Sequence, residues 1–278
     1  MNGRKKILEV HVKKIVLTQN TDLEVIARGT PGFRGAELAN LVNESALRAA
    51  QLNKSAVTLE DMEWARDKVM MGAERRSMIM HEEEKEATAY HEAGHALVAY
   101  YLKDADPIHK ITIIPRGQSL GMTTFLPETD RLSMNRDGLI ARIKVALGGR
   151  AAEELMLKDF STGVEGDLKD STNIAYQMIC KWGMSEKLGA LSIPQGDSGN
   201  YLAMDYNAES SVSEEIQEIV DEEVQDLLQD CYTEAKKILS DHASQLKSLA
   251  DMLVEVETVS LEQLTDLFQP VAAPEAEV

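Results

Sequence analysis

The sequence has little of what would place it in several common protein classes. There are two cysteines in 278 residues, Cys180 and Cys231. They cannot build a disulfide framework or a C-x-x-C zinc knuckle, and a chain of this length does not need such staples. Both fall in apolar-periodic stretches, so they read as buried free thiols in a reducing compartment. No run approaches the 18 consecutive apolar residues of a membrane-crossing helix, and no apolar segment follows the basic Met1–Lys6 as a signal peptide requires. The chain therefore reads as soluble and intracellular. Bases are scarce: 29 Lys and Arg face 47 Asp and Glu, for a net charge of −18. That excludes nucleic acid as the main partner, because phosphate contacts need basic patches. Glycine is never followed directly by lysine, so the phosphate-cradling loop G-x-x-x-x-G-K-[ST] is absent throughout.

What is there is mostly helical in character. Aromatics make up 5% of the chain, while Ala, Leu, Glu and Met are frequent. Residues 1–76 read as a small helical unit: an amphipathic piece over 7–16, a helix capped by Thr21-Asp22, a break at Gly29-Thr30-Pro31-Gly32, a helix over 36–51 and another after Thr58. Residues 72–77 read as a linker. Residues 82–102 then form a long helix. β-Branched Ile111-Thr112-Ile113-Ile114, a turn at Pro115-Arg116-Gly117 and Gly121–Phe125 predict a β-hairpin or small sheet. Helical spacing returns over 137–158, interrupted at Gly148-Gly149. A loop over 161–166 and a helix over 168–182 follow, and residues 183–209 read as irregular. A long helical region spans 213–254, broken near Asp241, with Ser211 and Glu214 spaced as a capping box. Between Ser213 and Asp230 lie eight carboxylates and no base, a solvated helix face. The fold class is mainly α with a small β element. The division is 1–76, 77–270 and a disordered tail over 271–278.

One motif carries chemistry. His91-Glu92-Ala93-Gly94-His95 reads H-E-x-x-H inside the long helix. Positions i and i+4 share a helix face about one turn apart, so the two imidazoles can grip one zinc ion. Glu92 is then placed as the general base. Zinc hydrolases take three protein ligands and leave the fourth position to water. The extended pattern H-E-x-x-H-x-x-G-x-x-H fails, since Val98 and Tyr101 stand where glycine and histidine would be. The third ligand must therefore come from a distant segment. The carboxylate candidates are Glu153 or Glu154, and Asp167 behind a glycine-rich loop. Spacing does not choose between them, and Asp167 could equally serve as a helix N-cap.

Beyond this motif the chain resembles the FtsH family, the membrane-anchored ATP-dependent zinc proteases. The resemblance runs through Thr88–Ala96, Ile111–Gly117 with Leu120-Gly121, Leu147–Glu154, Ser161–Asp167 and Trp182–Ser185, in family order. Upstream, Ala27–Phe33 and Gly35–Glu44 resemble the helical lid that ends the family's AAA+ ATPase module. The resemblance implies zinc held by His91, His95 and Asp167, with Glu92 as base. It makes Glu153 or Glu154 a group that orients a ligand histidine. It makes Gly121, Met122, Thr123 and Thr124 a strand that pairs with extended, unfolded substrate by β-augmentation. It places residues matching His11, Gly35 and Ala36 near the adenine ring, although ATP and Mg2+ would be held only in a full-length protein. It implies a homo-oligomer, a hexameric ring, facing the cytoplasmic side of the bacterial inner membrane or an organellar membrane. Without a P-loop no autonomous ATPase is expected, and the chain reads as a C-terminal portion or a relative without its motor. The alternative is a non-catalytic assembly or scaffold subunit.

Overall fold

The computed structural model describes residues 1–75, 78, 80–117, 119–126, 133–193 and 213–268. Its elements are α1 (Asn2–His11), a 3-10 turn (Val12–Lys14), α2 (Leu23–Arg28), α3 (Gly35–Gln51), α4 (Leu59–Met71), α5 (Glu82–Tyr101), β1 (Ile108–Thr112), β2 (Met122–Phe125), α6 (Arg136–Leu157), a 3-10 turn (Thr162–Val164), α7 (Glu165–Cys180), α8 (Glu214–Asp241), α9 (Ala243–Val256), β3 (Thr258–Ser260) and α10 (Leu261–Phe268). The fold is mainly α with one small sheet, as the composition implies. Among the described residues no helix is long and apolar enough to cross a membrane. The described residues pack as two compact units, those within 1–92, 106–133 and 248–268, and those within 93–105 and 134–247.

The first unit contains α1–α4, closed around Leu8, Ile26, Leu38, Leu41, Met62 and Ala65, all fully buried. Local sequence sets the helix ends. The Asp22 carboxylate accepts from the Glu24 amide, and Thr58 and Asp61 form a reciprocal capping box at the start of α4. The sheet has the order β2-β1-β3, all antiparallel, with Ile111 opposite Thr123 on one side and Val259 on the other. The expected β-hairpin or small sheet is present as β1 and β2, and a third strand that the sequence does not suggest completes it. The third strand is only three residues long and follows a helix directly, too short for alternation to show. Residues read as a linker are pinned as far as they are described. The Arg75 amide donates to the Pro115 carbonyl at 2.8 Å, and Arg116 pairs with Glu74.

Within the same unit α4 is tied to β1 by buried charge. Lys110 and Arg66 both pair with Asp67, and the His109 ring lies 2.8 Å from Glu63. Burial pushes the Asp67 carboxyl up, but the Arg66 guanidinium and the Lys110 ammonium outweigh it and hold it below the usual carboxylate range. A depressed folded-state pKa contributes stability that is complete above the unfolded value near 4 and is lost as pH falls through the folded value. Lys110→Ala is therefore expected to cost about 2 kcal/mol at pH 7. Urea titrations should show the gap between parent and variant closing below about pH 4.

The second unit packs α6, α7 and α8 around Leu139, Ile143, Leu147, Met178, Ile179, Val220, Val224 and Cys231, and the buried residues Ala96–Ala99 of α5 belong to the same unit. Three expectations change here. First, α6 runs unbroken through Gly148-Gly149. A Cβ on Gly148 would lie 2.9 Å from the Gly94 carbonyl oxygen, so this glycine serves a close helix crossing rather than a helix break. Second, residues 161–166 are ordered as a 3-10 turn leading straight into α7, which starts at Glu165. Its N-cap is Val164, and Asp167 lies in its first turn. The Ser161 hydroxyl accepts from the Gly163 amide, and carboxylates in a first turn suit the helix dipole, so a segment that looked like loop winds into helix. Third, α8 is capped by Ser213, whose hydroxyl accepts from the Ile216 amide. Ser211, most of the irregular stretch and the tail over 271–278 lie outside the described residues. The break near Asp241 is present, between α8 and α9.

Candidate metal centre

Helix α5 carries the motif. His91 and His95 stand one turn apart on it. The His95 ring is buried and fixed: its Nδ1 lies 2.7 Å from the Val145 carbonyl oxygen, so Nδ1 carries the proton and Nε2 is the atom whose lone pair can reach a metal. That Nε2 is 3.5 Å from the Asp167 Oδ2 at the start of α7. One ligand atom from each of His91, His95 and Asp167 can be chosen so that all lie within 4.8 Å of one another.

Zinc bonds of about 2.0–2.2 Å in a tetrahedron place ligand atoms about 3.4 Å apart. Small side-chain shifts would close the gap from the observed spread. Two imidazole nitrogens and one carboxylate oxygen form a donor set that suits zinc and leaves a fourth position open. With a metal bound, the backbone carbonyl of Val145 would play the outer role that such sites normally assign to a hydrogen-bond acceptor on a ligand histidine. Sequence reasoning missed it, and a carbonyl oxygen carries no residue signal by which it could have been found.

The carboxylates weighed as a third ligand part company. Asp167 joins the two histidines. Glu153 is 1% exposed and accepts from the Ser161 amide at 2.6 Å and from its hydroxyl at 3.4 Å. Glu154 takes the Tyr232 hydroxyl and the Lys236 ammonium, which hold its carboxyl below the usual range. In turn burial, then Glu154, pushes the Tyr232 phenol up to about 12.

Glu92, 6% exposed, lies against β2. The Thr123 hydroxyl is 2.8 Å from Glu92 Oε2 and 3.2 Å from its carbonyl oxygen. A Cβ on Gly121 would meet Glu92 Cγ at 2.8 Å, so only glycine lets the strand come this close. Met122 and Thr124 flank Thr123 on the same half-buried strand. The three lid positions stand elsewhere: His11 ends α1, and Gly35 and Ala36 open α3 on the exposed surface.

Gly94, between the two histidines, is a second close approach. An added Cβ would lie 2.4 Å from the Gly148 carbonyl oxygen and 2.6 Å from the Ala152 Cβ. Backbone cannot yield as a side chain can. Gly94→Ala is therefore expected to lower stability by about 1–3 kcal/mol, read from the urea midpoint at unchanged slope.

Comparison with known proteins agrees with this geometry. The model of peptidase family M41 matches residues 78–267, and that of an AAA+ lid domain matches residues 20–64. The chain is 48% identical over 269 residues to the ATP-dependent zinc metalloprotease FtsH of Myxococcus xanthus, covering 97% of this chain and 42% of that protein. It is 50% identical over 270 residues to the ATP-dependent zinc metalloprotease FtsH of Neorickettsia risticii, covering 96% and 41%. With the ATP-dependent zinc metalloprotease FtsH 2 of Methylacidiphilum infernorum the identity is 47% over 267 residues, covering 96% and 42%. The chain thus spans about two fifths of the length of these curated relatives. With an H-E-x-x-H helix, a convergent aspartate and a peptidase match over most of its length, the chain belongs to peptidase family M41.

Proposed function

We propose that this chain is the zinc endopeptidase portion of an FtsH-like ATP-dependent protease, joined to the lid of its ATPase. Residues 1–76 would be the lid and 77–270 the peptidase. The observation that carries the reading is the convergence of His91, His95 and Asp167, with Glu92 next to the first histidine. These three would hold zinc, which when bound supplies Lewis-acid polarisation of a carbonyl and makes water acidic near neutral pH.

The chain's own residues account for the rest. Glu92 takes the proton from the attacking water and returns it to the departing amine. The Val145 carbonyl holds His95 in the tautomer that offers Nε2. Buried Glu153, which accepts from the Ser161 amide just ahead of α7, would be the carboxylate that supports the ligand set. Glu154 is engaged with Tyr232 and Lys236. The outer edge of β2, over Gly121–Thr124, would receive an extended peptide through backbone hydrogen bonds, which tolerate many sequences. The substrates would then be unfolded polypeptides, including unfolded membrane proteins. Assembly would be a homo-hexameric ring, on the cytoplasmic face of a membrane in the full-length protein. His11, Gly35 and Ala36 would border a nucleotide only when a P-loop core is joined to them.

The test is digestion of casein and of a stably folded protein by the purified chain, before and after chelation and zinc replacement. Zinc-dependent cleavage of casein, with the folded protein spared, is the expected result. A chain that holds no zinc and cuts neither would point to the scaffold reading.

A further inference from the structure

We infer that Thr123 is a positioning residue for Glu92, acting through its hydroxyl, so that the substrate-receiving strand itself sets the general base. The inference rests on the metallopeptidase reading above. Three observations carry it. The Thr123 Oγ1 sits 2.8 Å from Glu92 Oε2 and 3.2 Å from the Glu92 carbonyl oxygen. A hydroxyl has one proton to donate, and both neighbours are acceptors, so the hydroxyl donates to Glu92, most strongly to its carboxylate. The residue is held in place from behind, because Thr123 is in register with Ile111, fully buried on the central strand β1. Gly121, two residues before it, lacks the Cβ that would come within 2.9 Å of Glu92 Oε1 and 2.8 Å of its Cγ. The base is thus gripped at one carboxylate oxygen by a hydroxyl and boxed on the other side by bare backbone.

The sheet order β2-β1-β3 makes β2 and β3 the two edge strands, and β2 is the one that lies against Glu92, so its outer edge is the one a substrate strand would pair with. A peptide bound along that edge would steady Thr123, and through it Glu92. The binding of substrate backbone and the orientation of the base are then one mechanical event. Valine has nearly the shape of threonine but no hydroxyl, and serine keeps the hydroxyl.

The experiment compares Thr123→Val and Thr123→Ser, each also in the Glu92→Gln background, by zinc content and by kcat and KM on an unfolded peptide. Thr123→Val is expected to keep its zinc and its KM within about twofold, and to lose kcat by about 10- to 100-fold, the range for a hydrogen bond to a charged group. Thr123→Ser should recover most of that loss. In the Glu92→Gln background Thr123→Val should have no further effect on the residual rate. The inference is overturned if Thr123→Val keeps parental kcat, if its loss is in KM or zinc, or if serine does not restore it. Failure of the underlying reading has a separate signature: Glu92→Gln would then cleave like the parent.

Discussion

Glu92→Gln is expected to lower kcat on an unfolded polypeptide by about 10²–10⁴-fold, the contribution of a positioned general base, with zinc still bound. The amide has nearly the volume of the carboxylate, and its carbonyl oxygen can still accept from the Thr123 hydroxyl. Packing around the site is therefore kept, as is the approach of Gly121. What is lost is the ability to take a proton. Steady-state kinetics with metal analysis on the same sample check this. A variant that retains more than about a tenth of parental kcat would remove Glu92 from the proton-transfer role.

Asp167→Ala is expected to weaken zinc binding by more than about 100-fold. Substituting a group that merely supports a ligand costs 10- to 100-fold in affinity, and losing a direct donor costs more. Two histidines would remain where three protein ligands are the norm. The nearby carboxylates are poor replacements. Glu153 is engaged by the Ser161 backbone amide, and Glu154 by Tyr232 and Lys236. Competitive titration with a chromophoric chelator measures the effect. Parental affinity would leave Asp167 as no more than a first-turn carboxylate of α7.

The parts of this site that were legible in the sequence are those built by one helix. The i, i+4 spacing of His91 and His95 needs no tertiary knowledge, and the adjacency of Glu92 follows from it. Asp167 was not legible from spacing, since its partnership with the histidines depends on how α7 sits beside α5. Only the resemblance of residues 161–167 to the FtsH family singled it out. Helix ends at Asp22 and Thr58 were readable because their caps are local. Gly148-Gly149 misled for the opposite reason. Glycine weakens a helix in isolation, and only the neighbouring Gly94 backbone reveals that Gly148 makes room for a crossing. The Val145 carbonyl and the Thr123 hydroxyl show the same limit. One is backbone and the other is an ordinary strand residue, and each makes its contact with the motif only by where it lands.

Zinc-edge X-ray absorption on the purified chain tests the metal centre most directly. The expected result is one zinc per chain, in a shell of nitrogen and oxygen donors at about 2.0–2.2 Å with two imidazoles, and loss of that signature in Asp167→Ala. Sulfur is not expected: both thiols are buried, and burial pushes Cys231 up to about 11, away from the thiolate that binds metal. A shell with sulfur at about 2.3 Å, or a chain that takes up no zinc, would contradict the assignment of His91, His95 and Asp167.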